Sequence, residues 1–542
     1  MIGGNALLAT GTFLAILAGT LVGVTVVSLP SGTVMICGGL ILCAALGYIS
    51  SLFIPEAPAK APDIRLNFNP VTETWNILRY TMTHERAVVR SILGIAWFYF
   101  MGGMFMAQFP NFTEETLGAN QHVLALFLVI FSVGIGIGGL LNNRLLRGRV
   151  EAVYVPLAVL GITLFSFDLI WASDGRILPG ALITLGEFAA VPANWRILFD
   201  IMMIAVCGGL FVVPLNAIVQ QFTPEDHRAR VLAGSAIVDA FFIVASSAVS
   251  AVLIMKGWSV TDLFFVFAVA NAFVALYICR LLPDYLLKSM LQGVFKLLYK
   301  VEVRGLENFE KAGPRAVIVG NHVSLLDPPL LAAFLPGKPM FAVNSFVAEW
   351  VWVKPFLKLV DAFPLDPTNP FSLKALIRKV QEDKHVVIFP EGRLTETGAL
   401  MKVYDGPGMI ADKADAIVLP VRLDGVQHTS FARLKGKVPL RKFPKITITI
   451  LEPRKFRIDE GLKGRNRRAA AGRQLYNLME EMMFLTGDRE QTLYEAMLRA
   501  RYINGDDAVI AEDIQRKPMK FKKLIQGSLV LGRKFAALTG KG

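Results

Sequence analysis

Long apolar runs separated by short polar loops fill the first half of the chain, and then the pattern changes. The runs cover residues 7–27, 33–54, 89–109, 123–142, 153–172, 197–221, 231–255 and 262–282. Each can cross a bilayer as a helix, because about 20 residues at 1.5 Å rise span the hydrocarbon layer. Eight membrane spans are therefore expected. The first has no basic leading segment and no small-residue cleavage site, so it reads as a span and not as a removed signal. From Pro283 onward short β-branched runs alternate with mixed helical stretches: strands at 316–319, 385–389 and 416–423, helices near 328–335 and 372–383. That alternation predicts an α/β layered domain. Between the two patterns, residues 283–303 mix apolar positions with Lys288, Lys296 and Lys300. This segment is too interrupted to span and reads as an amphipathic junction on the membrane face, or as a plain linker helix.

Composition supports the division. The 542 residues are 54% apolar with a mean hydropathy of +0.50, too oily for an ordinary soluble protein. Residues 1–282 hold 14 of the 56 Lys and Arg and 15 of the 43 Asp and Glu, so the formal charge of +13 sits in the second half. A membrane part followed by a basic part suits anionic lipid or a phosphate-bearing substrate; nucleic acid has no motif to support it. Counting spans alternately puts Arg65, Arg79, Arg86, Arg144, Arg147, Arg149, Arg228 and Arg230 on one side, which the positive-inside rule makes cytoplasmic together with both termini. Arg176, Arg196 and Lys256 dilute the contrast on the other side. Cys37, Cys43, Cys207 and Cys279 lie in apolar stretches without metal-ligand spacing and read as small buried hydrophobes, so neither a metal site nor a disulfide framework is expected.

Within the spans, Asp239 is a costly ionisable group and marks either a transport-path cavity or a polar contact inside the bundle. Arg196 and Asp200 are spaced for a local ion pair, and the glycines at 134, 136, 138, 139, 208 and 209 for close helix packing.

The chemistry gathers in two stretches of the second half. Residues 316–329 read AVIVGNHVSLLDPP: a buried strand, a turn at Gly320 and Asn321, then His322 five residues before Asp327. On one regular helix those two side chains would diverge by about 140°. The prolines at 328 and 329 instead start the helix there, with Asp327 near its N-cap, so a bent loop can return the imidazole to the carboxylate. The plainer alternative is that Asp327 only caps the helix. The second stretch is a strand running into Phe389, Pro390, Glu391, Gly392 and Arg393, at the sheet edge where open α/β sheets bind ligands. Arginine offers a donor fork to phosphate, and glycine lets a substrate approach the backbone.

Two resemblances follow. The GGNALLATGTFLAILAGT opening, the NNRLLRGRVE loop and PLNAIVQQFTPEDHRARVLAG resemble the lysophospholipid transporter branch of the major facilitator superfamily, over residues 1–285. Such transporters have two six-helix bundles, so eight spans correspond to a partial fold with four helices lacking. NHVSLLD paired with FPEGR, supported by VDAFPLDPTNP and VLPVRLDG, resembles the glycerolipid acyltransferases over about residues 298–485. This chain lacks the threonine of the commoner Phe-Pro-Glu-Gly-Thr-Arg, and it has Asp366 and Pro367 where an arginine often helps hold phosphate. Both departures match the branch acting on 2-acylglycerophosphoethanolamine.

The fold expected is thus multidomain: a helical membrane bundle of about eight spans over 1–285, an amphipathic junction over 286–303, and an α/β acyltransferase domain over 304–485. The tail, 486–542, resembles the incomplete start of an adenylate-forming ligase. The acyltransferase resemblance implies His322 as general base, Asp327 as its orienter, and Glu391, Gly392 and Arg393 at the lysophospholipid head group. It implies no bound cofactor, with an acyl carrier protein or coenzyme A thioester as co-substrate. The partners it implies are membrane lipid, the acceptor and a separately encoded acyl ligase, at a bacterial-type inner membrane with the catalytic domain cytoplasmic. A covalent acyl group on Ser324 is an alternative, disfavoured because no Gly-x-Ser-x-Gly elbow surrounds it. A lysophospholipid transporter with an accessory domain, and a non-functional remnant of a longer fusion, are the rival readings. The arginines at 465, 467, 468 and 473 read as a solvated helix face.

Overall fold

The computed structural model describes residues 29–54, 69–146, 150–175, 181–349, 360–366, 369–396, 398–434, 438–487, 492–512 and 514–540, with isolated positions from 11 to 26. The chain divides into two compact units, Met1–Leu286 and Leu287–Gly542.

In the first unit seven described helices are long and apolar enough to cross a membrane: Gly32–Ser51, Arg86–Thr116, Gln121–Leu146, Val155–Ser173, Pro192–Phe222, Arg228–Met255 and Val260–Leu281. They coincide with the second to eighth expected spans. Most of the first, together with Arg65, Arg147 and Arg149, lies outside the described residues. The loop before Arg86 also holds an unforeseen helix, Pro70–Met82, which Asn69 caps by accepting from the N–H groups of Val71 and Thr72.

Glycine sets the tightest crossing. A Cβ on Gly138 would stand 2.1 Å from the Val206 carbonyl oxygen, and one on Gly209 2.4 Å from that of Ile135, so the Gln121–Leu146 and Pro192–Phe222 backbones touch where side chains are missing. Around them Phe105, Phe109, Phe112, Phe127 and Phe264 form one buried cluster. One polar chain crosses the bundle: Trp97 Nε1 donates to Asn271 Oδ1 at 2.9 Å, and Asn271 Nδ2 to Thr163 Oγ1 at 2.8 Å. Two expectations need correction. Arg196 pairs with Asp168 of the neighbouring Val155–Ser173 helix and not with Asp200, because Asp200 is fully buried while the arginine stays at the exposed surface. Cys37 and Cys43 are exposed and Cys279 half-buried, leaving Cys207 as the buried one.

The second unit is built on a mixed sheet. Its strands are β1 (Lys300–Arg304), β2 (Ala316–Gly320), β3 (Met340–Asn344), β4 (Ala362–Leu365), β5 (Val386–Ile388), β6 (Ile417–Asp424), β7 (Lys445–Ile450) and β8 (Arg454–Lys455). The order is β1-β7-β6-β2-β5-β3-β4, with β8 also on β6. Strands β6, β2, β5, β3 and β4 run parallel, and β7 is antiparallel to β6. β2 is fully buried, which is why its sequence is an unbroken apolar run without alternation. Helices cover both faces. The Asp327–Phe334 helix and Phe295 of the Pro283–Leu298 helix pack on Ile318, Leu419 and Val421. Leu376, Ile410, Leu475 and Met479, from three further helices, pack on Val317, Val319 and Val386.

The expected junction helix docks here through a buried lysine: Lys288 Nζ donates to the Leu335 and Gly337 carbonyls at 2.7 and 3.1 Å. Among the run of arginines near 470, Arg467 is not a solvated charge but forms a bidentate pair with Asp412 at 2.7 and 2.8 Å. The tail carries a helix, Leu493–Asn504, a two-stranded hairpin and a last helix, Phe521–Thr539.

Candidate active site

The site forms where β2, β5 and β6 end together. Asn321 is the device that closes the loop onto the sheet, and it is a structural residue where a plain turn was expected. Its amide oxygen accepts from the Leu423 N–H at 2.8 Å and its amide nitrogen donates to the Leu423 carbonyl at 2.9 Å, extending the β2–β6 pairing by side chain. The next residue, His322, is thereby held at the strand end.

The loop from His322 to Leu326 bends as the spacing required. His322 Nδ1 lies 3.0 Å from Asp327 Oδ2, although the two are five residues apart. The same oxygen accepts from the N–H groups of Val323 at 2.6 Å and Ser324 at 2.8 Å. Asp327 is the first residue of its helix, after the N-cap Leu326 and before the two prolines. Its carboxylate bonds back to the loop and the imidazole and, among the described residues, to no helical N–H, so the structure shows the orienting arrangement and not the plainer capping one. A carboxylate can only accept, so the imidazole proton belongs on Nδ1 and Nε2 is left as a free base. The Asp327 side chain is 0% exposed and that of His322 18%. The imidazole stacks on Phe389 with ring centroids 4.2 Å apart, which fixes its plane.

Glu391 enters from the end of β5 and meets the histidine's backbone. Its Oε1 accepts from the His322 N–H at 2.9 Å and its Oε2 from the Met401 N–H at 3.0 Å. It is buried, and burial pushes its carboxyl above the ordinary glutamate range against the pull of those two hydrogen bonds. The sequence reading offered Glu391 to the head group; in the fold each of its oxygens accepts one backbone N–H of the chain. Gly392 has φ +65°, a left-handed turn that a Cβ would strain, and faces Tyr404. Arg393 is exposed at the same turn. The Thr395 N–H donates to the His322 carbonyl at 2.8 Å, so both backbone groups of His322 are tied to the second stretch.

Ser324 is fully buried, and its Oγ accepts from the Leu326 N–H at 3.2 Å. Asp239 lies in the other unit, half-buried in Arg228–Met255, and its Oδ1 has no hydrogen-bond partner among the described residues. No cluster of metal-ligating side chains occurs among the described residues. Sequence reasoning missed Asn321, Phe389 as a stacking partner, and Arg422 on β6. Asn321 and Phe389 lie within the two motifs but were given no role there, and Arg422 lies in the supporting VLPVRLDG stretch, where the sequence marks it only as a charge in an otherwise buried strand.

Residues 300–424 match the acyltransferase family model, so the chain carries an acyltransferase domain. The chain is similar to a chloroplastic 1-acyl-sn-glycerol-3-phosphate acyltransferase of Arabidopsis thaliana, 27% identical over 32% of this chain and 50% of the plant protein. It is 29% identical to the 1-acyl-sn-glycerol-3-phosphate acyltransferase of Bacillus subtilis over 28% of this chain and 76% of that one. The N-terminal part is similar to the lysophospholipid transporter LplT of Klebsiella pneumoniae, 26% identical over 43% of this chain and 52% of the transporter. Thus the chain spans about half the length of both the plant enzyme and the transporter. Among solved structures, the 1-acyl-sn-glycerophosphate acyltransferase PlsC of Thermotoga maritima matches 36% of this chain and 80% of its own, at 23% identity and a TM-score of 0.27.

Proposed function

We propose that this acyltransferase domain moves a fatty acyl group from an acyl carrier protein or coenzyme A thioester to the free hydroxyl of a lysophospholipid. The acceptor class is 2-acylglycerophosphoethanolamine or 1-acylglycerol-3-phosphate. The observation that carries the reading is the 3.0 Å contact between His322 Nδ1 and a buried, backbone-anchored Asp327, which leaves Nε2 to act as the base.

In the reaction, Nε2 takes the hydroxyl proton as the oxygen bonds to the thioester carbonyl carbon. The imidazolium so formed is stabilised by Asp327. The tetrahedral oxyanion collapses, the carbon–sulfur bond breaks, and the thiolate leaves as the thiol with the proton from Nε2. Ester and thiol are the products and His322 is restored. Glu391 positions His322 by holding its N–H, Gly392 makes the turn, and Arg393 offers an exposed guanidinium to the head group. A Ser324 nucleophile is disfavoured by its burial and its hydrogen bond to Leu326. The setting that fits seven apolar helices is a bacterial-type inner membrane with the catalytic domain on the cytoplasmic side. The domain limits 1–285, 286–303, 304–485 and 486–542, a separately encoded acyl ligase as partner and acyl transfer without a bound cofactor are parts of this proposal.

Membranes containing the full chain, given radiolabelled acyl thioester and 2-acylglycerophosphoethanolamine, should form labelled diacyl phospholipid and one thiol per ester. Thiol release without labelled phospholipid would contradict acyl transfer to this acceptor class. Similarity to LplT supports a second reading, lysophospholipid transport by the N-terminal unit with Asp239 in its path. Flipping of a fluorescent lysophospholipid in proteoliposomes that an Asp239→Asn change abolishes would favour it.

A further inference from the structure

The proposed reaction leaves one buried cation unused. Arg422 lies on β6, and the register places its neighbour Val421 opposite Gly320 while Asn321 clamps Leu423. Arg422 is therefore set beside the strand end from which His322 projects. Its side chain is only 13% exposed, and its nearest ionic partner, Asp424 Oδ1, is 3.7 Å from Nη2, outside hydrogen-bond range. No hydrogen bond to the guanidinium exists among the described residues. Burial acts against its charge, while the carboxylates of Asp424, Glu391 and Asp327 sustain it. Glu391 accepts from two backbone N–H groups and Asp327 Oδ2 from His322, and neither carboxylate hydrogen-bonds the guanidinium among the described residues. Arg499, exposed on the Leu493–Asn504 helix, is close enough to repel Arg422. A desolvated guanidinium with five donors, one distant partner and a like charge nearby is expensive unless an anion joins it.

We propose that Arg422 binds a substrate phosphate ester, and that this phosphate is the acceptor's and not the thioester donor's. The inference rests on the acyl-transfer reading above. In a lysophospholipid the free hydroxyl and the phosphate share one three-carbon glycerol, so a phosphate must lie close to His322 whenever the hydroxyl reaches Nε2. Arg422 offers the planar fork that matches its oxygens. A coenzyme A or carrier-protein thioester also contains phosphate, but it is separated from the carbonyl carbon by the long pantetheine arm.

The test compares specificity ratios, which do not depend on how much protein is folded. For wild type, Arg422→Lys and Arg422→Gln, kcat/KM is measured for 1-acylglycerol-3-phosphate against monoacylglycerol, and for acyl-coenzyme A against the phosphate-free acyl-N-acetylcysteamine. Loss of a paired guanidinium should reduce the acceptor ratio about 10²–10³-fold in Arg422→Gln, less in Arg422→Lys, and leave the donor ratio unchanged. An unchanged acceptor ratio, or a loss confined to the donor ratio, overturns the assignment. Asp424→Asn, at an exposed position, covers the case in which Arg422 variants do not fold: removing the competing carboxylate should tighten the acceptor KM a few-fold, and no change counts against the proposal. Equilibrium binding of 1-acylglycerol-3-phosphate without donor separates the two failures. If wild type binds it, Arg422→Gln does not, and no variant transfers an acyl group, the phosphate site stands and the proposed reaction falls.

Discussion

Replacing Asp327 by Asn isolates the contribution of charge at the site with little change of shape. Three N–H groups converge on Oδ2, at 3.0 Å from His322 Nδ1, 2.6 Å from Val323 and 2.8 Å from Ser324, and the side chain has no exposure to water. An asparagine oxygen can occupy that position, but its NH2 must then replace Oδ1, which has no partner among the described residues. The buried amide donor costs about 1–3 kcal/mol, and three charge-assisted hydrogen bonds become neutral ones. Relief of the buried negative charge offsets part of this, so the net loss of stability is about 1–3 kcal/mol. Catalysis suffers more, because the imidazolium of the transition state loses its counter-charge. The expected fall in kcat is about 10²–10⁴-fold, equivalent to roughly 3–5 kcal/mol, with the acceptor KM nearly unchanged. Thiol release followed in detergent-solubilised full-length protein gives kcat and KM, and a thermal melt of the same sample gives the stability. A kcat within threefold of wild type would refute the reasoning, since it would mean that Asp327 serves the loop and the helix start alone.

Glu391→Gln keeps one acceptor for the His322 N–H but turns an NH2 toward the Met401 N–H, so activity should drop about 10-fold or more with a loss of about 1–3 kcal/mol in stability. The Glu391 carboxyl is held above its ordinary value by burial, so the folded state binds that proton more tightly than the unfolded chain. Its contribution to stability is fully present below the unfolded value of about 4.5 and is lost as pH rises through the folded value. Melting temperatures should therefore show the gap between wild type and Glu391→Gln widening as pH falls through that window, and a constant gap contradicts the assignment. In the membrane unit, Gly138→Val drives a side chain into the Val206 carbonyl, where even a Cβ stands at 2.1 Å, and should lower the detergent melting temperature by several degrees, whereas Gly102→Ala, with nothing within 4 Å, should not.

How far the sequence could be read varies with the range of the interaction. Spans and strands were legible because apolar runs report burial locally: seven helices fall on seven expected runs, and β2 falls on 316–319 with Gly320 added. The elbow was legible because Pro328 and Pro329 restrict the backbone on their own. Whether Asp327 caps or orients could not be separated by spacing alone; the fold shows its oxygen holding the imidazole and the loop N–H groups ahead of the helix. Partners fixed by tertiary pairing were not legible. Arg196 has Asp200 at helical spacing yet pairs with Asp168, 28 residues back in sequence, and Arg467 reaches Asp412, 55 residues back. Glu391 looked like a ligand because its motif lies at a strand end; only the fold shows that its oxygens meet the His322 and Met401 amides. Arg422 was hidden for the same reason, its meaning set by strands β2 and β6 lying side by side.

The central claim is that His322 Nε2 is the base for acyl transfer. It is tested most directly by labelled acyl transfer to 2-acylglycerophosphoethanolamine in membranes containing equal amounts of wild-type and His322→Ala protein. The account predicts a loss of at least about 10²-fold in the variant with the acceptor still bound; transfer at the wild-type rate would contradict it.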